Sequence, residues 1–192
     1  MTQTQNDNPS NPIESGMDVL LALLYAPGAS GQTAEPIHGT TRLQKLLFLL
    51  WKEGKFYEDI PNLYSFEAYD FGPCMDDLYD DLEFAEDIGL LTIDEVPSGN
   101  EYEGADEDAF LQDFGFRWVK RPTRRDFVLT ETGKEAAKEI IYDALDEDRR
   151  QRLNQIKRRF NPMQFFDLLR YVYRKYPALP RNPYSHYDAD YY

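Results

Sequence analysis

The chain has 192 residues, a single cysteine and a formal charge of −14. That length suits one domain with its own core, and a lone Cys74 excludes an internal disulfide and points to a reducing compartment. The most apolar stretch, residues 46–51, falls far short of the roughly 20 residues that a membrane-spanning helix needs. A soluble, cytoplasmic protein with no membrane partner is expected.

Residues 1–14 are polar and carry neither a basic n-region nor a cleavage site, which predicts a disordered leader. Ser15 or a neighbour opens a first helix, MDVLLALLYA, apolar on nearly every side and therefore central in the core. Residues 27–39 hold Pro, Gly and small polar side chains and read as a loop. Thr41 and Gln44 have capping-box spacing. Behind them Leu43, Leu46, Leu47, Leu50 and Trp51 mark one helical face.

Residues 64–69 alternate like a short strand or extended arm. Gly72 and Pro73 then suggest a helix start, with Gly72 as cap and Pro73 in the first helical position. The predicted helix, 75–88, has an apolar stripe of Met75, Leu78, Tyr79, Leu82, Ala85 and Ile88. Its sides and back carry Asp76, Asp77, Asp80, Asp81, Glu83 and Asp87, and Gly89 ends it. LLTID follows as a strand. Residues 94–115 contain eight acids and no base and read as a long loop. FRWVK and RDFVLT are predicted strands with RPTR as the turn between them. Thr130 caps a further helix with Ala136, Ala137, Ile140, Ile141, Ala144 and Leu145 inward. Leu153, Ile156 and Phe160 continue at helical spacing, and residues 131–160 are compatible with one helix or two. Asn161-Pro162 suggests the start of a last helix, and residues 179–192 an extended, Tyr-rich tail.

This order predicts a mainly helical α+β protein: a winged-helix-like core with a small antiparallel sheet and additional C-terminal helices, in one domain over residues 15–178. Residues 75–88 then correspond to the recognition helix and 91–130 to the wing.

Charge is sharply segregated. Residues 56–116 contain nineteen Asp and Glu and no Lys, Arg or His, whereas residues 117–181 contain seventeen Lys and Arg against nine acids. Such asymmetry implies a charged partner or two regions that face each other. An acidic helix repels a polyanion, so DNA reading through residues 75–88 is not expected. Basic surface is expected instead in the hairpin (Arg117, Trp118, Lys120, Arg121, Arg124, Arg125) and in RRQRLNQIKRR (Arg149, Arg150, Arg152, Lys157, Arg158, Arg159). The hairpin resembles a basic wing able to grip phosphates, and equally suits pairing with the chain's own acidic loop.

TRLQKLLFLL, FEAYDFGPCMDDLYDDLEFAEDIGLL, FVLTETGKEAA and FFDLLRYVYRKYP, in this order and spacing, resemble the Panacea domain family of SocA-like antitoxins and phage-associated proteins. The resemblance spans roughly residues 15–178 and is most specific at Tyr69, Gly72 and Pro73. It implies a helical domain that neutralises or delivers a partner protein by direct contact, often beside a toxin gene, and it does not imply catalysis. Cys74 and the length of the 94–115 loop depart from that pattern.

No catalytic constellation stands out. His38 and His186 lie in a loop and a tail, without Cys or carboxylate neighbours at zinc-site spacing, and read as exposed bystanders. Cys74 reads as a small buried hydrophobe. The clustered aspartates lack the loop geometry of a calcium site. No enzyme, cofactor or metal is expected. The reading is a module that binds a partner protein, a toxin or effector, through the acidic helix and loop. The alternative is a DNA-binding regulator that uses the hairpin at 117–125.

Overall fold

A computed structural model describes residues 13–58, 64, 67–69, 72–74, 77–97 and 123–176, with the backbone alone at 67–69, 72–74 and 123. Most of the leader and of the acidic loop, the predicted FRWVK strand and the tail lie outside the described residues.

Ser15 caps α1 (Gly16–Tyr25). Its Oγ accepts the Asp18 N–H while the Asp18 carboxylate accepts the Ser15 N–H at 2.8 Å, satisfying two orphan donors at once. Residues 19–25 are all buried. Ile13 is buried in the same cluster, so the packed chain begins before the expected boundary at residue 15.

Within the segment expected to be all loop, Ile37–His38 forms a short strand, β1. α2 (Thr40–Lys52) starts directly behind it. Gly39 occupies the N-cap at φ 91°, a conformation only glycine adopts freely, and no side chain caps the helix. Thr41 is already helical, so the Thr41–Gln44 box does not form.

The Gly-Pro pair does not start a helix. Gly72–Cys74 is a strand, β3, paired antiparallel with β2 (Glu67–Tyr69), and Pro73 lies opposite Ala68. A residue before proline is steered to extended backbone, and proline is compatible with an edge strand. Those preferences prevail over the helix-start reading. Among the described residues α3 runs from Asp77 to Asp87. Gly89, at φ 75°, closes it: its N–H donates to the Glu86 carbonyl and that of Leu90 to Ala85, the paired bonds of a Schellman motif.

β4 (Leu91–Pro97) pairs with β5 (Thr123–Leu129) from Leu91↔Leu129 to Pro97↔Thr123. Asp94–Pro97 is therefore strand rather than the start of the acidic loop, and Thr123 and Arg124 belong to β5 rather than to a turn. β1 adds to the other edge of β5, giving the order β1-β5-β4. A helix, a short strand, two helices and two further strands in that order form the core of a winged helix, here with the β2–β3 hairpin inserted before α3.

Thr130 caps α4 (Glu131–Ala136) and ties it to the end of α3. Its hydroxyl accepts the Gly133 N–H at 3.0 Å and donates to the Gly89 carbonyl at 2.7 Å. Gly133 lies so close to Leu90 that a β-carbon there would sit 1.8 Å from its carbonyl oxygen. The helix continues as a π-helical turn, Ala137–Tyr142, which widens the spiral and shifts its phase. Ile140 and Ala144, expected inward, consequently face solvent, Ile140 at 67% exposure. Asp146 then caps α5 (Glu147–Phe160) by accepting the Arg149 N–H at 2.8 Å. Residues 131–160 are thus two helices.

α6 (Phe165–Lys175) starts at Gln164, not at Asn161-Pro162. Asn161 instead closes α5, and its amide donates to the Pro36 carbonyl at 3.1 Å. Arg42, almost wholly buried in α2, donates to the Asn161 and Met163 carbonyls at 2.8 and 2.6 Å. Because α2 packs against α1, α5 and α6, it buries more than the one face its periodicity marks. One contiguous apolar cluster joins Leu20, Leu46, Leu82, Phe127, Phe160 and Leu168. Among the described residues no helix is long and apolar enough to cross a membrane.

Candidate partner-binding surface

α3 is held from beneath and behind. Leu78, Leu82 and Ala85, spaced i, i+4, i+7, turn into the core. Glu86 Oε1 accepts the Ile93 N–H at 3.0 Å, pinning the helix to β4. Asp81 is half-buried and accepts the Tyr64 hydroxyl at 2.8 Å. Its burial raises its pKa above the usual carboxylate range, with Asp77 and Asp80 adding to the rise and the Tyr64 bond opposing it. The Tyr64 phenol is in turn pushed up, first by burial and then by the Asp81 charge. Asp81, expected on the partner face, is therefore a structural anchor.

The outer face is different. Asp77, Asp80, Glu83 and Asp87 are all exposed, and none has a basic partner among the described residues. Asp76 lies outside the described residues. Phe84 and Ile88, one turn apart, project on this face at 57% and 50% exposure, with Asp80 one turn earlier on the same line and Asp77 and Asp87 flanking. Ile88 was expected inward. Phe84 belonged to no expected inward stripe, and that mismatch is the sequence signal for its exposure.

Of the basic hairpin, Arg117, Trp118, Lys120 and Arg121 lie outside the described residues. Arg124 forks onto Asp126 with bonds of 2.7 and 2.9 Å, and Arg125 faces Glu95, its opposite number in the register, at 3.7 Å. Both cations are directed at the chain's own carboxylates. Asp126 also lies 2.9 Å from His38 Nδ1. His38 thus has a carboxylate neighbour that sequence distance concealed, because β1–β5 pairing sets residue 38 opposite residue 126. Among the described residues no three His, Cys, Asp or Glu form a group able to hold a metal ion. The side chain of Cys74 and all of His186 lie outside the described residues, and Tyr69, Gly72 and Pro73 form the hairpin ahead of α3.

The second basic segment divides. Arg149, Arg150 and Arg152 pair one turn back with Asp146, Glu147 and Asp148. Lys157, expected at the surface, is fully buried and donates to the Leu24 carbonyl at 2.7 Å. Burial lowers its pKa to about 7, against an opposing pull from Glu35. Arg158 and Arg159 are exposed.

Compared with family models, with curated proteins and with solved structures, the chain matches none.

Proposed function

We propose that the chain is a non-catalytic protein-binding module whose α3 face docks on a partner protein. The role is antitoxin-like or adaptor-like, in a toxin–antitoxin or phage-defence setting, as the resemblance to the Panacea domain family implies. One observation carries this reading: an exposed Phe84–Ile88 pair ringed by carboxylates that have no basic partner among the described residues. Exposed apolar side chains gain from a pocket, and unpaired acids gain from a basic rim. The fitting partner is a protein with an apolar pocket bordered by Lys and Arg, such as a basic toxin or effector.

DNA binding through residues 117–125 is the second reading. It is less well supported, because Arg124 and Arg125 face Asp126 and Glu95.

The test is affinity capture from the native host after nuclease treatment. It compares wild type with Phe84→Ser/Ile88→Ser and with Asp80→Lys/Asp87→Lys, each variant checked for an unchanged melting profile. A basic protein held by wild type and lost from both variants is expected. Equal capture by all three, or no capture by wild type, overturns the reading.

A further inference from the structure

The remaining concentration of cations lies on α5 and α6. A groove of ≈ 460 Å³ has Arg152, Gln155, Arg158 and Arg159 around Ile156 and Phe160, with Glu53 contributed from the end of α2. A second groove of ≈ 650 Å³ has Arg170, Arg174 and Lys175 beside Tyr171 and Asp167. The two adjoin. Arg159 stands over the Tyr171 ring at 5.1 Å, and Lys175 Nζ pairs with Glu53 at 3.0 Å. Among the described residues that line them, the two grooves hold six cations against two acids, in a chain whose formal charge is −14.

Three of those cations are committed: Arg152 to Asp148, Arg170 to Asp167 and Lys175 to Glu53. Arg158, Arg159 and Arg174 are exposed and have no carboxylate partner among the described residues. Arg159 is stacked on Phe160 at 4.7 Å as well as on Tyr171, which holds its planar fork in place and lowers the entropy lost on binding.

We propose that this face is a second binding site, which takes the phosphodiester backbone of a nucleic acid. Five of the six cations are arginines, whose guanidinium forks match phosphate oxygens in bidentate geometry. The apolar floor, Ile156 and Phe160, is buried, so the face lacks the exposed anchor a protein interface needs and that α3 has. A charged, polar surface is instead the character of nucleic-acid interfaces. The site is independent of the hairpin at 117–125 and of the α3 face.

The experiment is fluorescence anisotropy of the full chain with labelled oligonucleotides, single-stranded and duplex, over a salt series. Poly-glutamate serves as competitor. Binding at low salt is expected, with a log–log salt slope of about −3 if three arginines each neutralise a phosphate. Arg158→Glu/Arg174→Glu is expected to weaken it at least about tenfold, whereas Arg125→Glu changes it less than about twofold. These are exposed side chains, and thermal melting confirms that each variant folds. The proposal is overturned if no oligonucleotide binds at low salt, if Arg125→Glu weakens binding as much as the double reversal, or if poly-glutamate competes as well as unlabelled oligonucleotide.

Discussion

The acidic face of α3 and the basic face of α5–α6 carry opposite charge, and they relate differently to the stability of their own helices. The cations of α5 and α6 are concentrated in the last turns: Lys157, Arg158 and Arg159 in one, Arg174 and Lys175 in the other. There they complement the negative end of the helix dipole. In α3 Asp77 and Asp80 suit the first turn, but Asp87 sits at the unfavourable end and no basic residue offsets it. Asp77–Asp81 and Glu83–Asp87 are like-charge pairs at i, i+4, each costing a few tenths of a kcal/mol. The basic face therefore has a reason to exist within the fold. Glu83 and Asp87 on the outer face of α3 have none, and that is the difference between the two faces.

The largest expected effect concerns Lys157, the one cation of the basic segment that points inward. Its folded pKa of about 7 lies below the ordinary 10.5. Between those values the unfolded chain holds a proton that the folded chain has released. Stability is thus lowest below pH 7 and rises with pH across that window. Urea titrations at steps through the window are expected to show wild type gaining on the order of 5 kcal/mol relative to Lys157→Met. Parallel curves for the two proteins would mean that Lys157 is solvated after all.

Next, Gly133→Ala is expected to cost about 3 kcal/mol by overpacking, since the new methyl meets the Leu90 carbonyl beside the end of α3. Chemical denaturation measures the loss, and an unchanged midpoint would show that α4 shifts freely against α3. Tyr64→Phe follows, at about 1 kcal/mol for the lost hydrogen bond. Asp81→Asn should go the other way. A carboxyl whose folded pKa is raised contributes stability at low pH that is lost as pH rises through it, and the amide keeps an acceptor for Tyr64. If Asp81→Asn instead destabilises the protein at neutral pH, the bond that the charged carboxylate accepts from Tyr64 outweighs the cost of its burial.

The smallest effects test the comparison most directly. Asp87→Lys is expected to stabilise the fold by about 0.5 kcal/mol and Arg158→Glu to destabilise it by about as much. Both effects should fade in high salt. Two changes of the same sign, read from thermal midpoints, would break the contrast.

Much of the fold was legible in local patterns. The Thr130 cap, the α1 and α2 segments, the Gly89 terminus and the order of the helices follow from residues acting on near neighbours, whereas the strands β1 and β3 do not. The failures share one cause. Gly72-Pro73, Thr41–Gln44 and Asn161-Pro162 each have a local reading as a helix start. Strand pairing, the entry from β1 and the contact with Pro36 use them otherwise. For the candidate partner surface, the exposed acids Asp77, Asp80, Glu83 and Asp87 were legible, whereas the anchoring role of Asp81 and the exposed apolar pair were not. Phe84 and Ile88 are assigned outward only once Leu78, Leu82 and Ala85 take the inward face.

The sequence by itself determined the segregation of charge, the helical class and some helix termini, such as those at Thr130 and Gly89, because these depend on composition and on contacts within a few residues. Only the tertiary structure decided which charges are free. Asp81 and Lys157 carry the same formal charge as their neighbours, yet one is tied to Tyr64 and the other is sealed beneath α1. Asp80, Asp87, Arg158 and Arg174 stay in water. Burial and pairing are set by residues dozens of positions away, and it is the charges left unpaired that a partner can use.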